Sequence, residues 1–112
     1  MKTFKRTHDF VTFERKNRNG EPITTTPREI IFSVKTTVED ATPLIQKTMT
    51  NGDITYVGDG VWQIQLIPKD TENMAFGKYV CDVKVIDEYG LEFIVVPAQE
   101  FVLLETVTLV GG

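Results

Sequence analysis

One cysteine, one histidine and one tryptophan are all that the 112 residues supply of these types, and each scarcity removes a class of chemistry. Cys81 alone can form neither an intrachain disulfide nor a multi-cysteine metal centre. On an apolar strand face it reads as a small core hydrophobe. A catalytic nucleophile needs a positioned base, and His8 has no necessary link to Cys81. Neither phosphate-binding pattern, G-x-G-x-x-G or G-x-x-x-x-G-K-[ST], occurs. The carboxylates Glu39 and Asp40, Asp70 and Glu72, and Asp87 and Glu88 fall in turns without the D-x-D-x-D-G spacing of a calcium loop, so they read as solvated turns. No catalytic residue, cofactor, metal or small-molecule substrate is expected, and the chain is not expected to be an enzyme.

Positive charge is also in deficit, with a formal net charge of -4. Such a surface repels polyphosphate unless a local basic cluster overcomes it. Lys2, Lys5, Arg6, Arg15, Lys16, Arg18 and Arg28 make the amino-terminal third basic. They read mainly as solvated strand and turn faces, and no nucleic-acid partner is expected. No apolar run approaches the roughly 18 residues needed to cross a bilayer as a helix, so no membrane partner is expected. The opening M-K-T-F-K-R-T-H-D-F lacks the apolar stretch of a signal peptide, which implies synthesis into a cytoplasm.

What the chain has is alternation. With 41% hydrophobic and 25% charged residues it lies in the globular range. It is expected to fold as a single domain over residues 1–112. Between residues 59 and 86, Trp62, Ile64 and Leu66 share one face with Gln63 and Gln65 opposite. Beyond a loop, Tyr79, Cys81, Val83 and Val85 oppose Lys78, Asp82 and Lys84. This is the period of two that marks half-buried strands. Further runs cover residues 9–15, 29–35 (Ile30, Phe32 and Val34 on one face), 44–50, 53–57, 91–96 and 100–110.

Asn19-Gly20, Asn51-Gly52, Gly58-Asp59-Gly60 and Tyr89-Gly90 supply turns between the runs, and Pro22, Pro27, Pro43, Pro68 and Pro97 read as run boundaries. One short helical turn is expected near residues 70–75, capped by Asp70 or Thr71, carrying Met74 and Phe76 over the open end of the core. About seven strands with regular turns predict an all-β sandwich or small barrel. The expected core is Phe32, Val34, Trp62, Ile64, Leu66, Tyr79, Cys81, Val83 and Val85.

Apolar residues also fall where strands should be wet, at Ile31, Val80, Ile86 and Ile94 and along the last run. An apolar edge left free invites uncontrolled pairing, so contact with another chain is expected there. The interface residues expected are Phe101, Leu103, Val107, Leu109 and Val110. A competing reading is a recognition module for carbohydrate or another surface ligand, for which Tyr56, Tyr89 and Phe93 are the aromatics to inspect. Tyr79-Val80-Cys81 partly mimics the Y-x-C of immunoglobulin domains, and its tyrosine is expected to bond back to the loop before it.

The motifs keep a particular order: Ile30-Ile31-Phe32-Ser33-Val34-Lys35, Asn51-Gly52-Asp53-Ile54, Gly60-Val61-Trp62-Gln63-Ile64-Gln65-Leu66, Pro68-Lys69-Asp70-Thr71, Gly77-Lys78-Tyr79-Val80-Cys81-Asp82-Val83, then Glu105-Thr106-Val107-Thr108. This order resembles small tail and virion proteins of bacteriophages and is similar to the N-terminal immunoglobulin-like domain of baseplate upper proteins. Its densest part is P-x-D-T followed by G-x-Y-x-x-D. Thr24-Thr25-Thr26-Pro27 departs from the apolar or acidic strand entry of those proteins. The resemblance implies an immunoglobulin-like antiparallel β-sandwich and a structural role in virion assembly in the tail, baseplate, neck or capsid surface. The implied partners are other virion proteins or further copies of the chain. It implies residence in the virion after synthesis in the host bacterial cytoplasm, and it carries no catalytic or cofactor residues.

Overall fold

Alternating runs become strands where one face can be buried, and the computed structural model, which describes residues 1–105, has eight of them and one helical turn. In chain order they are β1 (Lys2–Phe4), β2 (Asp9–Glu14), β3 (Glu29–Lys35), β4 (Ile45–Thr48), β5 (Ile54–Gly58), β6 (Val61–Leu66), α1 (Pro68–Thr71), β7 (Gly77–Ile86) and β8 (Glu92–Leu104). One sheet has the order β1-β8-β7-β3-β4 and the other β2-β6-β5. Strands β2, β6 and β5 take the places of B, E and D in an immunoglobulin sandwich, and β3, β7 and β8 those of C, F and G. Strand β4 is the extra strand beside C. The protein is an all-β, immunoglobulin-like sandwich.

Strand β1 is the eighth strand, at three residues too short to show alternation. It runs parallel to β8, with Lys2 opposite Val102 and Phe4 opposite Leu104. The other pairings are antiparallel. The reading of residues 91–96 and 100–110 as two strands parted by Pro97 needs correction. Pro97 lies inside the single strand β8. Across from β7, Cys81 faces Gln99, Val83 faces Val96 and Lys84 faces Ile94, so β8 carries one surplus residue on each side of Val96. A bulge takes a residue out of the ladder, and there a proline, with no N–H to give, is tolerated.

The core lies between the sheets. Ile30, Phe32 and Val34 of β3, Cys81, Val83 and Val85 of β7 and Ile45 of β4 face Phe13 of β2, Ile54 of β5 and Trp62, Ile64 and Leu66 of β6, all buried. Tyr79 is half-buried against this cluster. Its hydroxyl donates to the Ala75 carbonyl at 2.6 Å, the corner bond of immunoglobulin-type domains.

Phe101 and Leu103 need a second correction, because they are 0% and 1% exposed within this core rather than on an outer face. Strand β8 is flanked at that end by both β1 and β7, so their apolar side chains are covered by the chain's own sheet. Val107, Leu109 and Val110 lie outside the described residues.

The helical turn begins two residues earlier than expected, at Pro68, whose missing N–H is no loss in a first turn. Neither Asp70 nor Thr71 is the N-cap. Asp70 reaches back from within the turn, its Oδ2 accepting the Ile67 N–H at 2.7 Å. The same oxygen meets Lys47 Nζ of β4 at 2.7 Å, with the two side chains 16% and 9% exposed. Thr71 is buried, and its Oγ1 accepts the Arg6 N–H at 2.9 Å. Met74 packs into the core as expected, whereas Phe76 stays outside it, about half exposed, with Lys5 Nζ 5.0 Å above its ring.

Candidate functional site

A strand inside a sheet has neighbours on both sides, and β8 has them for only part of its length. Strand β7 runs beside all of it, but β1 covers the other side only at Val102, Leu103 and Leu104. Met1 adds contacts to Glu100 and Val102. From residue 92 to 99 the outer side of β8 has no backbone partner among the described residues. An open edge of this kind is a template for another strand. The bulges and Pro97 interrupt it, so the part in unbroken register is residues 92–94, short enough to discourage indiscriminate pairing.

The side chains here are apolar. Tyr89, Leu91, Phe93 and Ile94 are each half or more exposed, which concentrates four large hydrophobes on one corner of the molecule. Their presentation is ordered by Asp87, whose Oδ1 accepts the N–H groups of Tyr89 at 2.9 Å and Leu91 at 2.8 Å. Arg28 adds a bond from Nη2 to the Glu88 carbonyl at 3.2 Å. Asp87, read from the sequence as a solvated turn residue, is the organiser of this hairpin.

Beside the edge, the two sheets part to leave a groove of about 620 Å³. Val85, Phe93, Ile94 and Val95 form its wall on the β8 side, and Ile23 and Thr25 contribute from the segment after β2. Arg15, at the end of β2, forms part of the opposite wall and is only 7% exposed. It is held by its backbone: its N–H donates to the Gly60 carbonyl at 2.8 Å and its carbonyl accepts the Ile23 N–H at 2.8 Å. Its guanidinium Nη1 donates to the Thr25 carbonyl at 3.1 Å. The groove has no single signature in the sequence, because its walls come from opposite sheets, although Ile94 was noticeable as a misplaced apolar residue and Phe93 as an aromatic to inspect.

The other residues singled out in the sequence are engaged elsewhere. Tyr56 packs on Trp62 with ring centroids 5.0 Å apart and accepts the Gly60 N–H at 3.0 Å. It stands on β5, in the other sheet from Phe93, so the three aromatics do not form one platform. The basic residues of the first third are dispersed: Lys16 pairs with Glu14 at 3.2 Å, Lys5 sits over Phe76 and Arg28 serves the hairpin.

Cys81 is buried and His8 is exposed. Burial of the Cys81 thiol pushes its pKa up to about 11. The folded state thus keeps a proton that the unfolded chain releases near its own lower pKa. The resulting stability is full below about pH 9 and is lost as pH rises toward 11, at about 1.4 kcal/mol per pH unit. Cys81→Ala is expected to remove this part of the alkaline slope in urea titrations at pH 8 to 11. Thiol labelling of the native protein at pH 8 is expected to run at the rate of unfolding.

No family model, curated protein or solved structure matches this chain.

Proposed function

We propose that this chain is a non-enzymatic structural protein of a bacteriophage or prophage virion, joined to neighbouring protein chains through the free edge of β8 and the groove beside it. The observation that carries the reading is the half-unpaired β8, with Leu91, Phe93 and Ile94 exposed around it. Exposed apolar residues grouped beside unpaired backbone mark a place where another chain fits. In a virion, repetition of copies multiplies a modest contact into a stable assembly.

Placement in the tail, baseplate, neck or capsid surface rests on the resemblance of the motif order. The motif residues serve the scaffold: Asp70 ties α1 to Lys47, Thr71 holds Arg6 and Tyr79 makes the corner bond. They therefore support a shared fold, and the docking surface is supplied by residues outside them. Carbohydrate recognition has less support, since Tyr56 is committed to Trp62 and only Tyr89 and Phe93 remain together.

Particles purified from a strain carrying the gene test this. The chain is expected in them at a fixed stoichiometry by quantitative mass spectrometry, and the pair Phe93→Asp and Ile94→Lys, which leaves the core intact, is expected to be absent from them. Particles lacking the unaltered chain would overturn the reading.

A further inference from the structure

Arg15 places a permanent positive charge in the groove wall, 7% exposed. Among the described residues no carboxylate lies within ion-pair distance of it. Three carboxylate residues share the groove lining with it: Glu14 holds Lys16 at 3.2 Å, Asp87 Oδ1 accepts the turn N–H groups of Tyr89 and Leu91, and Glu88 forms no ion pair with the guanidinium. Of the five N–H donors of the guanidinium, the side-chain bond in this structure uses one, to Thr25. A buried charge without a counter-ion is unfavourable, and native structures meet it with a carboxylate.

We propose, resting on the assembly reading above, that the groove recognises an extended segment of a partner protein in which a carboxylate side chain is flanked by apolar residues. The backbone of that segment pairs with β8 at residues 92–94, ahead of the bulge at Val95, the mode of recognition by strand addition. Its apolar side chains lie against Ile23, Phe93 and Val95. Its carboxylate meets the planar fork of Arg15, which suits two parallel hydrogen bonds. Affinity comes from the ladder and the apolar contacts, while the guanidinium selects acidic segments over neutral ones.

The full chain can be titrated with two blocked pentapeptides, threonine-valine-glutamate-valine-threonine and its glutamine twin, while the Arg15 Nε–H and the backbone signals of residues 93–95 are followed by NMR. The glutamate peptide is expected to move both sets of signals at concentrations at least about tenfold lower than the glutamine peptide, as a charged hydrogen-bonded pair implies. Arg15→Met is expected to raise the melting temperature of the free chain and to erase the difference between the peptides. Arg15→Lys, which keeps the charge without the fork, is expected to fold and to lose most of the preference.

Equal responses to the two peptides would overturn the acidic selectivity and leave the edge as a docking surface. Sodium acetate or inorganic phosphate moving Arg15 as strongly as the peptide would make this a site for free anions and overturn the proposal. A lowered melting temperature for Arg15→Met would show the guanidinium to be structural, with the same consequence. Failure of the assembly reading would appear separately, as absence of the chain from particles.

Discussion

Asp70→Ala is expected to lower stability by about 3–5 kcal/mol, because it strands the Lys47 ammonium, 9% exposed, without its counter-ion. It also removes the acceptor that holds the Ile67 N–H at 2.7 Å at the start of α1. A domain of this size has about 5–15 kcal/mol in total, so the variant is expected to melt more than about 10 °C lower. The asymmetry of the pair is part of the prediction. Lys47→Met leaves Asp70 bonded to Ile67 and nearer to water, at 16% exposure, and is expected to cost less. The double variant Lys47→Met with Asp70→Asn keeps an acceptor for Ile67 and removes both charges, and it is expected to recover most of the loss. Urea unfolding followed by the fluorescence of Trp62, the sole tryptophan, 5% exposed, reads all three. A loss for Asp70→Ala no larger than about 1 kcal/mol, the range of surface pairs, would show that the pair is not effectively desolvated.

Gly60→Ala is expected to cost about 3 kcal/mol. The backbone there has φ of +79°, which for a residue with a Cβ costs about 1–2 kcal/mol. The new Cβ would also stand 2.7 Å from the Arg15 carbonyl oxygen and 3.2 Å from the Ile23 nitrogen. Both are backbone atoms and cannot swing aside, so the end of β2 must shift, with an overpacking cost of about 1–3 kcal/mol. Gly52→Ala is the matched control, since its φ is +81° and nothing lies within 4 Å of the added carbon. It is expected to cost about 1–2 kcal/mol, from the backbone alone. Equal losses at the two sites would mean that the β2 terminus yields freely. Gly60→Ala also displaces the segment that holds Arg15, so it is expected to weaken peptide recognition in the fraction that folds.

The central strands were legible because their pattern has only one reading. In β3, in β6 and in β7 from Val80 onward, buried positions alternate with more exposed ones, and a one-residue slip would put every large side chain into water. Strand β8 was not legible as one element. Its surplus residues beside Val96 upset the period, and Pro97 looks like a stop unless the bulge is known. Lys47, a charged residue within the run 44–50, points inward with Ile45, because Asp70 waits for it on α1. A partner 23 positions along the chain leaves no local trace.

Phe101 and Leu103 were misjudged for a different reason. An apolar strand face looks the same whether its cover is the chain's own sheet or a second chain, and only the topology shows that β1 and β7 enclose that end. The groove followed the same logic in reverse. Ile94 stood out as an apolar residue in the wrong place and Phe93 as an aromatic worth inspecting, but Arg15 and Ile23 could not be brought opposite them without knowing that the sheets part there.

The parallel contact of Lys2 with Val102 bears on birth as well as on the finished molecule. Within this domain the first strand to leave the ribosome has its ladder partner about a hundred residues behind it, which at ordinary elongation rates is a wait of roughly 5–20 s. Until then β1 is an unmatched ribbon, and the end of the core holding Phe101 and Leu103 cannot close. Completion of this domain is therefore a late, post-emergence event, and a nascent chain truncated ahead of residue 100 should remain a chaperone client.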